Sequence, residues 1–129
     1  MNRRSRWLLA AALLGTGACD ETDGVIYTIA VEAEQFRIHV TDAQAIARLD
    51  ERMRTNTTGV IMGRVVAGTG GVNSPWSWHL EPESITVPDV TIELCDGLPS
   101  YVEDNLAEWL VQVGNYCPWG ARVIARDDG

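Results

Sequence analysis

From Val25 the chain alternates apolar and polar positions. Val25, Tyr27, Ile29 and Val31 share one face, and after a turn near Ala33 to Gln35 the residues Phe36, Ile38 and Val40 repeat the pattern. Period two predicts two strands joined as a hairpin. At Thr41 the period changes. Thr41 and Gln44 form a capping box, and Ile46, Leu49 and Met53 fall on one side of a helix from 42 to 54, which lies on the sheet. Val60 to Ala67, Trp76 to Leu80 and Val90 to Cys95 read as three further strands. The last two are separated by the Glu81-Pro82 and Val87-Pro88 interruptions, which demote the piece between them to an edge or loop. Ser100 and Glu103 make a second capping box, and the stripe Val102, Leu106, Trp109, Leu110 and Val113 stops at Gly114, predicting a helix over 101–113. Arg122 to Ala125 closes the pattern as a short strand. The order ββαβββαβ predicts one small α+β domain over 25–126, an antiparallel sheet of about five or six strands with two helices on one side. Residues 127–129 form an acidic tail. Gly68-Thr69-Gly70-Gly71 opens a loop up to Pro75; without a Gly-Lys-Ser/Thr ending it is a connection rather than a phosphate cradle.

The N-terminus follows another pattern. Arg3, Arg4 and Arg6 precede an uncharged stretch from Leu8 to Ala18, which ends in Thr16-Gly17-Ala18-Cys19. This is the layout of a signal peptide over 1–18. Its uncharged residues would make roughly 16 Å of helix, too short for a hydrocarbon core of roughly 30 Å. A cysteine directly after small residues is how bacterial lipoprotein signals end, so Cys19 is the expected lipidation site and 19–24 an acidic tether. Two alternatives stand beside this one. Thr16 and Ala18 would also suit ordinary signal peptidase, releasing a secreted protein, and the apolar run could be accidental. Arg3-Arg4 opens as a twin-arginine signal does, but Arg6 stands where such signals are apolar.

Composition sharpens the picture. The 129 residues carry 10 Lys plus Arg against 18 Asp plus Glu, a formal charge of −8, and every cation is arginine. Without lysine there is no Walker-type phosphate loop and no Schiff-base chemistry. Loss of 1–18 would leave 7 arginines against 18 acids, a charge of −11, which would repel nucleic acid. Cys95 and Cys117 would then be the only internal cysteines of an exported chain, with 21 residues between them. A disulfide is the expectation, worth about 3 kcal/mol in the loop-entropy model. The competing reading is a metal site or a reactive thiol, which only His39 and His79 could join.

Candidate chemistry centres on Trp76-Ser77-Trp78-His79-Leu80-Glu81. Trp76, Trp78 and Leu80 share one face, assigned to the core; the alternative is a paired aromatic platform for a sugar ring or a cation. Ser77, His79 and Glu81 share the other, where a small ligand could bind and where His79 with a carboxylate could move a proton. A satisfied half-buried histidine is the simpler reading of His79. Asp96 and Trp119 complete the possible ligand-binding set. Glu81/Glu83 and Glu103/Asp104 are paired carboxylates more simply read as solvated charges, and no metal or cofactor is assigned. No serine lies in a nucleophile elbow, and no third histidine completes a zinc triad.

Trp76-Ser77-Trp78-His79-Leu80-Glu81-Pro82-Glu83-Ser84-Ile85, followed by Glu93-Leu94-Cys95-Asp96, Tyr101-Val102-Glu103-Asp104 and Tyr116-Cys117-Pro118-Trp119, resembles the N-terminal domain family named after a slime-mould calmodulin-binding protein. The likeness runs in order from about Phe36 to Val123. It implies a small exported bacterial protein or a domain of a larger amoebal one, with the family's cysteines at Cys95 and Cys117. The chain departs from the family at Glu81, where Asp is frequent. Calmodulin binding is not expected here. Calmodulin is acidic and grips basic helices, whereas Arg48, Arg52 and Arg54 on helix 42–54 are balanced by Asp42, Asp50 and Glu51. The functional expectation is an exported, envelope-attached, non-catalytic binding module for a small ligand, glycan or protein. The alternatives are a protease-inhibitor-like interaction protein and a small hydrolase using His79 and nearby carboxylates.

Overall fold

The computed structural model describes residues 24–128. The proposed signal peptide and Cys19 lie outside them. Two three-stranded antiparallel sheets make up the frame. In the first, β1 (Val25–Val31) is central, with β2 (Glu34–Val40) on one edge and β6 (Ala121–Asp127) on the other. In the second, β3 (Gly63–Ala67) is central between β4 (Trp78–Leu80) and β5 (Asn115–Tyr116). Five of the six expected strands are therefore present, divided between two sheets in an α+β domain; Val90 to Cys95 is not a strand, and the short β5 is one the pattern does not predict.

The hairpin is tighter than the sequence pattern predicts. Val31 pairs with Glu34, so the turn is Glu32-Ala33, and Glu32 takes a positive φ of 56° to close it. On the other edge the register slips between Thr28 and Ile29, leaving Ile124 as the extra residue of a bulge in β6. Tyr27, Ile29, Phe36, Ile38 and Val40 are buried, as the alternation predicts.

Helix α1 (Ala43–Thr55) packs on β6. Its cap is Asp42 rather than Thr41: the Asp42 carboxylate accepts from the Ala45 N–H at 2.9 Å. Its inner face is Ala45 and Leu49 with Ile46 beside them, while Met53, expected inside, is exposed. Tyr27 ties the helix to the sheet by donating to Asp50 Oδ1 at 2.7 Å, and Arg126 of β6 pairs with the other oxygen of that carboxylate.

The second predicted helix is present but broken. It starts at Pro99 as α2 (Pro99–Asp104), is interrupted at Asn105, resumes as α3 (Leu106–Glu108), and finishes in a π turn over Trp109–Val113. Gly114, at φ 84°, ends it as expected. The expected Ser100/Glu103 capping box does not form. Instead Glu34 reaches over from β2 and accepts from both the Ser100 N–H (2.8 Å) and hydroxyl (2.7 Å), while Glu103 accepts from the Ser77 N–H at 2.8 Å. Leu110 of the predicted apolar stripe faces solvent.

Between the sheets sits an aromatic cluster. Phe36 from the first sheet lies 5.6 Å from Trp78 and 5.4 Å from Tyr116 of the second, and Trp109 meets Tyr116 edge-on at 5.7 Å. Trp78 is wholly buried, so the core reading of that face holds and truncating the indole should cost about 3 to 5 kcal/mol. Trp76 lies just before β4, half-buried against the same core, with Nε1 donating to Gln35 O at 2.9 Å.

Asn73, 1% exposed, joins the sheets through polar bonds. Its Oδ1 accepts from Arg37 N on the free edge of β2 at 2.8 Å, and its Nδ2 donates to Trp78 O at 2.8 Å. The glycine-opened loop thus covers a sheet edge, which gives it a structural task.

Candidate functional site

The sequence-derived residues separate into two groups. Ser77, His79 and Glu81 lie along β4 and its flanks. His79 Nδ1 is 2.8 Å from the Gly68 carbonyl, which can only accept, so Nδ1 carries the proton and Nε2 is left as the basic nitrogen. Gly70 (φ 64°) lies over the imidazole; a Cβ there would come within 2.5 Å of the ring carbons, so the loop and the histidine fix each other. Glu81 accepts from Arg64 Nε at 2.8 Å, and this hydrogen bond first, then the arginine's charge, holds its carboxyl below the usual range. The carboxylate nearest His79 in sequence is thus engaged with Arg64. Among the described residues no three His, Cys, Asp or Glu side chains group so as to hold a metal ion.

Asp96 and Trp119 are brought together elsewhere, at the Cys95–Cys117 disulfide. Asp96 Oδ1 accepts from the N–H groups of Gly97 (2.8 Å) and Trp119 (2.9 Å). Trp119 Nε1 donates to Thr91 Oγ1 at 2.9 Å, and that hydroxyl donates to Cys117 Sγ at 3.1 Å. Tyr116 donates to Gly97 O at 2.7 Å, and burial pushes its phenol well above the ordinary range. Among the described residues no hydrogen bond joins this group to the β4 group.

The disulfide corner also carries something the sequence pattern did not show. Val90 to Cys95, expected as a strand, pairs with no strand; only Glu93–Cys95 coils, into a single 3-10 turn. Val90, Ile92 and Leu94 are 76%, 66% and 68% exposed, beside Trp119 at 38%. A cavity of about 290 Å³ opens between Gly59, Val60, Asp89, Val90 and Trp119. Val90, Ile92 and Leu94 alternate in the sequence, which predicts a strand, but alternation marks faces and does not reveal whether a neighbour exists.

A third place emerges only in the fold. Arg48 donates to Val87 O at 3.0 Å, and Arg52 to Val60 O at 2.7 Å and Pro88 O at 3.4 Å. The two arginines flank a groove of about 410 Å³ between α1 and the 87–89 segment. Burial lowers the Arg52 pKa, and its guanidinium packs on Gly59, where a Cβ would approach to 2.8 Å. These arginines, read from the sequence as balanced surface charge, act as struts that hold the approach to Val90.

A family model described as the BP-74 N-terminal domain matches residues 23–128. No curated protein and no solved structure matches the chain.

Proposed function

The chain belongs to the BP-74 N-terminal domain family, and from that premise we propose that it is an exported, lipid-anchored, non-catalytic interaction module. The observation that supports this reading is the exposed run Val90, Ile92 and Leu94 beside Trp119. Contiguous exposed apolar side chains are uncommon on a soluble domain and mark surfaces that meet a partner. The chemistry-bearing residues, by contrast, have structural tasks: Glu81 holds Arg64 and His79 holds the Gly68 loop. Attachment rests on the arginine-flanked apolar run that ends at Cys19.

Two measurements test the reading. Metabolic labelling with a fatty acid should mark the wild type and spare Cys19→Ser, and detergent extraction should send only the wild type to the detergent phase. Complete partition of the wild type into water would refute the anchor. A photo-crosslinking residue at position 92, in cells exporting the chain, should give a discrete adduct that the same probe at position 111 does not. Identical patterns at both positions would refute the module. A protease-inhibitor role is a second reading, favoured by one feature: the exposed segment is clamped at its C-terminal end by the disulfide. Stoichiometric loss of protease activity on titration would select it.

A further inference from the structure

We propose that the segment Pro88–Ile92, with the Trp119 cavity beside it, receives an extended segment of a partner protein that bears lysine or arginine, paired main chain to main chain. The inference rests on the interaction-module reading and names the class of partner.

After a bend at Asp89, residues Val90 to Ile92 run outside any helix or strand into an extended Ile92, and their side chains alternate. Thr91 turns inward to Trp119 and the disulfide, while Val90 and Ile92 face solvent. From Asp89 to Thr91, no backbone N–H or carbonyl has a hydrogen-bond partner among the described residues. The segment is held on both sides nonetheless. Arg48 and Arg52 bond the carbonyls of Val87 and Pro88 before it, and the disulfide fixes Cys95 after it. A short stretch held at both ends, with free main-chain donors and acceptors between the Asp89 bend and the Glu93 turn, is a template that a partner strand completes, because much of its ordering entropy is already lost.

The chemistry of the occupant follows from the adjoining cavity. Its walls are Val60, Val90 and the Trp119 indole, and its single charge is Asp89. An apolar stem that ends in a cation fits that combination: the methylenes lie on the valines, the charge over the indole and toward the carboxylate. Arg52 is close enough to feel Asp89, yet it forms no ion pair with it and does not line the cavity. Glu93 stands exposed next to Ile92, and the whole chain is at −8, so a cationic segment is attracted over a wide area. The same charge argues against a second copy, which would bring Asp89 and Glu93 against their own equivalents.

The test uses the full chain and a fluorescently labelled peptide of about ten residues with alternating lysine and valine, long enough for one strand pairing. Anisotropy should show saturable binding, weakened about tenfold or more by Ile92→Ser and by Asp89→Asn, and unchanged by Val111→Ser at an equally exposed valine elsewhere. The peptide N-methylated at alternate residues should bind at least about tenfold more weakly, because it loses the main-chain donors. Equal binding of the N-methylated peptide, of a glutamate–valine peptide, or of a peptide with lysines and valines in separate blocks would each overturn the proposal. So would absence of binding, or self-association in sedimentation that Ile92→Ser abolishes. A discrete position-92 adduct in cells together with a silent peptide would defeat this inference while leaving the interaction module standing.

Discussion

β1 and the segment from Val90 to Leu94 carry the same pattern and meet opposite fates. In β1 the alternating Val25, Tyr27, Ile29 and Val31 are buried, with β2 on one edge and β6 on the other. In the later segment Val90, Ile92 and Leu94 alternate just as regularly and stand in solvent, with no strand on either edge. Intrinsic preference is similar in both. The difference is whether the fold brings up another element. β1 has its hairpin partner two residues away, so closing that pairing costs little loop entropy. The 90–94 segment is flanked by Pro88 and by the disulfide turn, and Gly59, which lines the cavity beside Val90, is already bridged to Ala121.

The comparison can be broken most directly at Ile29, at the centre of the buried pattern. Ile29→Ala should cost about 2 to 5 kcal/mol, read as a lower urea midpoint at unchanged slope. A loss under about 1 kcal/mol would mean that the β1 side of the core is loosely packed. Next is the staple that holds the other region. Cys95→Ser should cost roughly 3 kcal/mol through the unfolded chain, and the loss should vanish when wild type and variant are compared under full reduction. Asn73→Ala should cost about 1 to 3 kcal/mol, because the Arg37 N–H and the Trp78 carbonyl would lose their partner; hydrogen exchange at Arg37 should rise first.

A smaller effect is expected in alkali. The phenols of Tyr27 and Tyr116 are both raised above the ordinary value near 10, chiefly by burial, so the unfolded chain gives up its protons first. Stability from these groups is complete below about pH 10 and is lost as pH rises through that value toward the folded-state pKa. Tyr116→Phe should flatten the fall in unfolding midpoint above about pH 10, whatever it costs at neutrality. The smallest effect belongs to the exposed pattern: Ile92→Ala should change stability by less than about 0.5 kcal/mol in the same urea titration that registers Ile29→Ala. A loss comparable to that of Ile29→Ala would make the 90–94 segment part of the core.

Much of the candidate site was legible before the fold was known, but not its grouping. Asp96 and Trp119 stand out through the motifs that contain them, and they meet through the Trp119 N–H on Asp96. Period two puts Ser77, His79 and Glu81 on one face, yet Arg64, which takes up Glu81, is 17 positions away and sends no local signal. Asn73 sends no local signal either. A buried asparagine in a glycine-rich loop reads as a turn residue until the free edge of β2 is seen beside it.

The sequence by itself determined what depends on near neighbours: the faces of β1 and β2, the extent of α1, the stop at Gly114 and the pairing of two lone internal cysteines. Steric period, capping chemistry and the count of thiols act within a few residues or by elimination, so they survive without coordinates. Only the tertiary structure decided what depends on distant partners. Glu34 caps a helix 66 positions away, six strands divide into two sheets across Phe36, Trp78 and Tyr116, and an alternating stretch after Pro88 is left without a neighbour. The reason is that a strand edge or a helix end states a need for hydrogen bonds, while which group meets it is settled by the competition of the whole chain for the same space.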